Sequence, residues 1–230
     1  VQAEETAPTP VKVGFFSNGD FMKKTAEGSY SGYDIEYYDE LAGYADWSIE
    51  IREYASLADA TMALENGDID ILSGMSKTTE REEKFLFSAT KMCSPKIAVQ
   101  VRADEDRFTI SDPSSMSNMT CGILQKSNVV TLYQNWCAQY GLTPHIIEYE
   151  SIDARNAALA AKEVDAIAGG STVAGAQKLA EFPSLDLYFM INSSRSDLKE
   201  QLDRSMAVLS LENPTFAQTL FNRYFPSSRN

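Results

Sequence analysis

Residues 51–76, IREYASLADATMALENGDIDILSGMS, lie without a gap on residues 146–171, IIEYESIDARNAALAAKEVDAIAGGS, 95 positions later. Nine of the 26 positions are identical: Ile51/Ile146, Glu53/Glu148, Tyr54/Tyr149, Ser56/Ser151, Ala63/Ala158, Leu64/Leu159, Asp70/Asp165, Gly74/Gly169 and Ser76/Ser171. A repeat of this length is one supersecondary unit used twice. In the first copy Ile49, Ile51 and Tyr54 fit a strand. Ser56 fits the N-cap of a helix with Leu57, Ala60, Ala63 and Leu64 on one face, and Gly67 ends it. Residues 69–72 then read as a short buried strand, with Gly74 as a turn at its C-terminal end.

Working outward, a further strand precedes each copy, at residues 11–16 and 121–125, each followed by a helical pattern at 32–44 and 129–140. Strand-helix-strand-helix-strand, written twice, is an α/β chain of two lobes, because right-handed crossovers turn each unit into a small parallel sheet covered by helices. Residues 96–102 and 187–191 read as strands. Helices are expected near 197–211 and 214–224, with Pro214 in a first helical turn. The predicted division is a linker at 1–10, one lobe from 11–93 plus 187–230, and the other from 96–185, so the chain crosses twice and the crossings make a hinge. Parallel sheets bind ligands beyond the carboxyl ends of their strands. That nominates the loops 15–20, 74–78, 125–128 and 169–172 as walls of a shared cleft. All four are rich in small or polar residues, as ordinary turns also are.

Acidic side chains outnumber basic ones 33 to 20, a formal charge of −13 that repels nucleic acid and anionic lipid alike. Hydrophobic content of 43% is enough for packed cores. No apolar run reaches the roughly 20 residues of a membrane helix. The opening VQAEETAPTP reads as a solvated linker, compatible with removal of a signal peptide or anchor before it. Cys93, Cys121 and Cys137 lack metal-ligand spacing. Cys121 starts a strand and Cys137 ends the following helix, so those two could bridge, although buried free thiols explain all three.

Residues 32–88 carry a set of motifs: Gly32-Tyr33-Asp34 at a helix start, Gly67-Asp68-Ile69-Asp70, Thr78-Thr79-Glu80-Arg81, and Phe87-Ser88. Together they resemble the bacterial extracellular solute-binding proteins of family 3, the polar amino acid binding type, from Val11 to about Phe225. The resemblance implies a type II periplasmic-binding-protein-like fold outside the cytoplasm that closes on a small ligand. The spacing in IDILSGMSKTTER and the aromatic helix EYYDELAGY before Trp47 are most similar to versions serving as sensor domains of membrane-anchored histidine kinases and diguanylate cyclases. The alternative is the ligand-capturing component of an amino acid ABC transporter, docking on its permease. A third is an enzyme on the same fold, since some dehydratases and peptidoglycan-cleaving proteins share it. The expected partner is a small molecule, with no cofactor or metal and a monomeric isolated domain.

By resemblance, Arg81 takes the ligand's α-carboxylate, which suits a planar fork of donors. Gly74 and Ser76 match the loop offering amide and hydroxyl donors to the same group. Gln125, Ser127 and Asn128 match the second lobe's contacts, with Asn128 expected to cap the next helix. Phe15 and Phe16 fall near positions that stack on the ligand, with core packing as the alternative, and Tyr54 joins the candidates from the repeat. The family usually places an Asp after the strand ending near Ala168 to meet the ligand's ammonium. Here Gly169 and Gly170 stand there, so either Asp20 supplies that charge or the ligand lacks an α-ammonium. His145 shows no catalytic partner. Asp68 and Asp70 resemble an acid-base pair, but the recurrence of Asp70 as Asp165 points to a role in the fold.

Overall fold

The computed structural model describes residues 6–226; residues 1–5 of the expected linker, and 227–230, lie outside the described residues. In chain order the elements are β1 (Thr9–Phe15), β2 (Lys23–Lys24), β3 (Tyr30–Ser31), α1 (Tyr33–Ala45), β4 (Trp47–Glu53), α2 (Leu57–Asn66), β5 (Ile71–Ser76), α3 (Thr79–Lys84), β6 (Phe85–Phe87) and β7 (Lys96–Arg102). After a 3-10 turn at Pro113–Met116 come β8 (Thr120–Leu124), α4 (Val129–Gln139), β9 (His145–Tyr149), α5 (Ile152–Ala160), β10 (Ala166–Gly169), β11 (Ala176–Pro183), β12 (Leu187–Asn192), α6 (Ser196–Glu212) and α7 (Phe216–Tyr224).

The two copies of the repeat adopt the same elements, β4-α2-β5 and β9-α5-β10. Ser56 Oγ accepts from Asp59 N–H and Ser151 Oγ from Ala154 N–H, both at 3.0 Å, so each helix starts on the expected hydroxyl. Asp70 and Asp165 also do the same work: each carboxylate accepts from a backbone amide of the neighbouring strand, Lys12 at 2.8 Å and Thr120 at 3.0 Å. Arg195 pairs with Asp70 and Arg107 with Asp165. Asp70 therefore belongs to the fold.

Two five-stranded sheets result, ordered β4-β1-β5-β12-β6 and β11-β7-β10-β8-β9. In each, the three strands of the repeated unit are parallel, one further strand, β12 or β7, runs antiparallel to them, and the edge strand beyond it, β6 or β11, runs parallel to them again. The sheets are thus mixed rather than purely parallel, because β12 and β7 reach each sheet from the far side of a crossing. The first sheet packs Tyr37, Leu41, Phe189 and Leu202 on one face and Leu57, Leu64 and Leu72 on the other. The second packs Ile123 against Tyr133 and Trp136 of α4, and Ile167 against Leu159 of α5.

The chain passes from the first sheet to the second between β6 and β7, and returns between β11 and β12. The crossing segments run side by side, joined by Leu187 N–H to Cys93 O at 2.9 Å, Met92 N–H to Leu187 O at 2.7 Å and Ser94 Oγ to Asp186 at 2.6 Å.

Four local expectations are corrected. β1 already starts at Thr9, paired with Trp47, so the linker does not extend to Pro10. Gly74 lies inside β5, not after it: its φ of +70° forms a bulge where the pairing with β12 shifts, and the strand runs on to Ser76. Pro214 precedes α7, which begins at Phe216. Cys121 and Cys137 do not bridge; all three cysteines are free and buried, and both thiols engage the Tyr133 hydroxyl.

Candidate ligand site

Arg81 projects from α3, whose N-cap Thr78 accepts the Arg81 amide at 3.2 Å. Its Nη1 donates to the Ser76 carbonyl at 3.1 Å and hydroxyl at 2.9 Å, while Nη2 reaches the Lys126 carbonyl of the second lobe at 3.4 Å. Among the described residues no carboxylate pairs with it. Burial lowers its pKa, with Glu80 only partly opposing. A desolvated cation held by neutral oxygens from both lobes is primed for an anion.

That guanidinium opens on a cleft of about 580 Å³ walled by Thr78, Arg81 and Lys84 from one side and Lys126, Ser127 and Asn128 from the other. The second wall is the start of α4. Ser127 Oγ, not Asn128, caps the helix, accepting from Val129 N–H at 3.1 Å. Asn128 has helical dihedrals, which turn its side chain away from the cap position, and its buried Nδ2 has no hydrogen-bond partner. Arg81, Ser76, Ser127 and Asn128 are therefore brought together, and Gln125 sits just beyond β8, its amide bonded to Tyr149 O at 2.8 Å.

The other candidates are elsewhere. Phe15 and Phe16 are buried in a cluster that includes Leu124 and Ile152 of the opposite lobe, and Tyr54 packs on the same cluster. They join the lobes as core. The Gly74 amide donates to Met92 Sδ at 3.3 Å, and a Cβ there would meet the Asp34 carboxylate at 3.1 Å, so this residue faces inward. Asp20 holds the lobes by its amide, which donates to Ser171 Oγ at 3.1 Å, while its carboxylate lies 3.7 Å from Lys23. At Gly170 the Phe21 ring occupies the space, 2.9 Å from where a Cβ would stand. Ser171 is positioned in turn by buried Gln100, which donates to its carbonyl and accepts from Val173 N–H.

Residue reasoning missed Phe21, Ser171, Lys126 and Arg155. Ser171 was within reach, since it repeats Ser76. Arg155 also left a signal, because it stands on the buried helix position that the first copy fills with Ala60. Phe21 and Lys126 act through contacts between lobes that no local pattern encodes. His145 is exposed at the head of β9, and no group of three or more His, Cys, Asp or Glu among the described residues could hold a metal.

Several known proteins share this fold. The periplasmic domain of BvgS from B. pertussis superposes with a TM-score of 0.79 at 15% identity, covering 96% of this chain and 44% of that one. An ancestral arginine-binding protein bound to arginine gives 0.78 at 18%, covering 96% and 100%. The probable amino-acid ABC transporter extracellular-binding protein of Bacillus subtilis gives 0.76 at 16%, covering 96% and 100%. In sequence, the membrane-bound lytic murein transglycosylase F of Shewanella sediminis is 27% identical over 141 residues, 55% of this chain, and the chain's match spans 29% of that relative's length. No helix among the described residues is long and apolar enough to cross a membrane. Residues 12–225 match a single family from end to end, and the chain belongs to the bacterial extracellular solute-binding proteins, family 3.

Proposed function

We propose that this chain is a non-catalytic module that works outside the cytoplasm, closes on a small carboxylate-bearing, amino-acid-like solute, and serves as the sensor domain of a membrane-anchored receptor. The observation that carries it is Arg81: a guanidinium with no carboxylate partner among the described residues, bonded to Ser76 of one lobe and Lys126 of the other. A carboxylate there touches both lobes, and such differential contact is what shifts an open-closed equilibrium. The paired crossing segments at 88–95 and 184–186 act as the hinge, dividing residues 11–93 plus 187–230 from 96–185.

The sensor reading is supported by a line of rings. Phe21, seated on Gly170 of the second lobe, lies 4.5 Å from Phe225, which in turn packs at a tilt on Phe221 at 5.0 Å. Closure is thus felt at the C-terminal end of the family domain, where a kinase or cyclase module would receive it. Solute capture for an ABC permease is the second reading, favoured by the likeness to the B. subtilis binding protein. A thermal-shift screen of amino acids and small carboxylates tests the shared core of both. A solute at 100 times its Kd adds about 2.7 kcal/mol of stability. Small-angle scattering with that solute should show a smaller radius of gyration. No stabilisation by any carboxylate overturns the reading, and an unchanged radius overturns hinge closure.

A further inference from the structure

Arg155 is 2% exposed, and no carboxylate among the described residues pairs with it. Its Nη1 donates to Ala168 O at 3.1 Å, and its Nε and Nη2 share Asn156 Oδ1 at 3.1 and 2.9 Å. A guanidinium has five N–H groups, so one remains on each terminal nitrogen. At the matching place in the first lobe the chain puts Ala60, closed over by Ile69 and Leu72 above Gly14. In the second lobe the stem of Arg155 crosses Gly122, and its guanidinium lies over Gly169, where a Cβ would stand 2.4 Å from Nη1. A buried cation without a counter-charge is costly, and an apolar side chain of the same volume serves packing better. An anion at this position would supply the missing counter-charge.

The place fits. Gly169 ends β10, at the edge of the sheet that faces the first lobe, next to Gly170 and Ser171, which touch Phe21 and Asp20. Continuing the register of Ala166 with Cys121 and Ile167 with Gly122 sets Gly169 beside Leu124, two residues before Lys126, whose carbonyl receives Arg81. With about 3.3 Å per residue and about 4.8 Å between strands, the two backbone points are about 8 Å apart. Resting on the solute-binding reading above, we infer that Arg155 takes a second carboxylate of the solute, which is a diacid rather than a simple α-amino acid. Gly170, filled by the Phe21 ring, leaves no acidic group at the end of β10 to meet an ammonium.

Calorimetric titration with glutarate, butyrate and L-glutamine tests this, using the wild-type chain, Arg155→Met and Arg155→Lys. Glutarate should bind the wild type at least tenfold more tightly than butyrate or glutamine. Arg155→Met should erase that preference while leaving butyrate unchanged, and its unliganded melting temperature should stay level or rise, as expected when a buried unpaired cation is removed. Arg155→Lys, which keeps the charge but not the fork, should retain part of the preference. A purely structural arginine gives the opposite pattern: a lower melting temperature in both variants and an unaltered glutarate-to-butyrate ratio, which overturns the inference. Tighter binding of glutamine than glutarate also overturns it but leaves the solute-binding function standing. Binding of none of the three overturns the inference and leaves the solute-binding reading to the wider thermal-shift screen.

Discussion

Replacing Arg81 with alanine is expected to weaken solute binding at least about 30-fold, with little change in the stability of the unliganded chain. Truncating one partner of a buried, hydrogen-bonded charge pair costs about 2 to 5 kcal/mol, and each 1.4 kcal/mol is tenfold in affinity. Here the guanidinium is already desolvated and aimed, with Nη1 on Ser76 and Nη2 on Lys126, so little reorganisation opposes the incoming carboxylate. Without solute, the lost bonds are offset by removing a half-buried unpaired cation. Arg81→Lys should recover only part of the affinity, because an ammonium does not present two parallel donors. Titration of both variants checks this, and near-normal affinity in Arg81→Ala would falsify the carboxylate-clamp assignment.

Asp34→Asn should stabilise the chain at pH 8 by as much as about 4 kcal/mol and leave it near wild type at pH 4. Asp34 is fully buried behind the Gly74 bulge; it accepts from Ser73 Oγ at 2.7 Å, and its Oδ1 has no partner. Burial pushes its pKa up to about 7, with the Ser73 hydroxyl opposing. The groups around it, Tyr38, Tyr33 and Cys93, carry no positive charge to compensate. The folded state therefore holds a proton that the unfolded state, with its ordinary carboxylate, gives up near pH 4. Between those values the unfolded chain binds fewer protons, so stability falls as pH rises towards 7. The magnitude follows from about three pKa units at 1.36 kcal/mol each. Denaturant unfolding from pH 4 to 8 measures it. A variant destabilised equally at all pH values would show that Asp34 is ionised in the fold.

The fold was legible because its information is local and duplicated. Ser56 and Ser151, Gly67, and the pair Asp70 and Asp165 each specify a cap, a stop or a strand tie within a few residues, and the repeat states the cap and the tie twice. The edge strands β6 and β11 were not legible. One is three residues long, and the other joins its sheet only through β7. The contact of Arg81 with Ser76 was legible since the two stand five positions apart on adjoining elements. The cap at α4 was misassigned by one residue because Ser127 and Asn128 are equally good capping types, and the positive φ of Lys126 decides which faces the helix. Phe15 and Phe16 looked like ligand-stacking rings; their partners Leu124 and Ile152 lie more than 100 residues away.

Whether the solute bridges the two lobes is read most directly by amide hydrogen exchange on the wild-type chain, with and without a carboxylate that stabilises it. Binding across the cleft should slow exchange together in residues 76–81 of the first lobe and 125–130 of the second, with 169–171 following as the lobes draw shut. Protection confined to one lobe, or to a surface away from Arg81, contradicts the account.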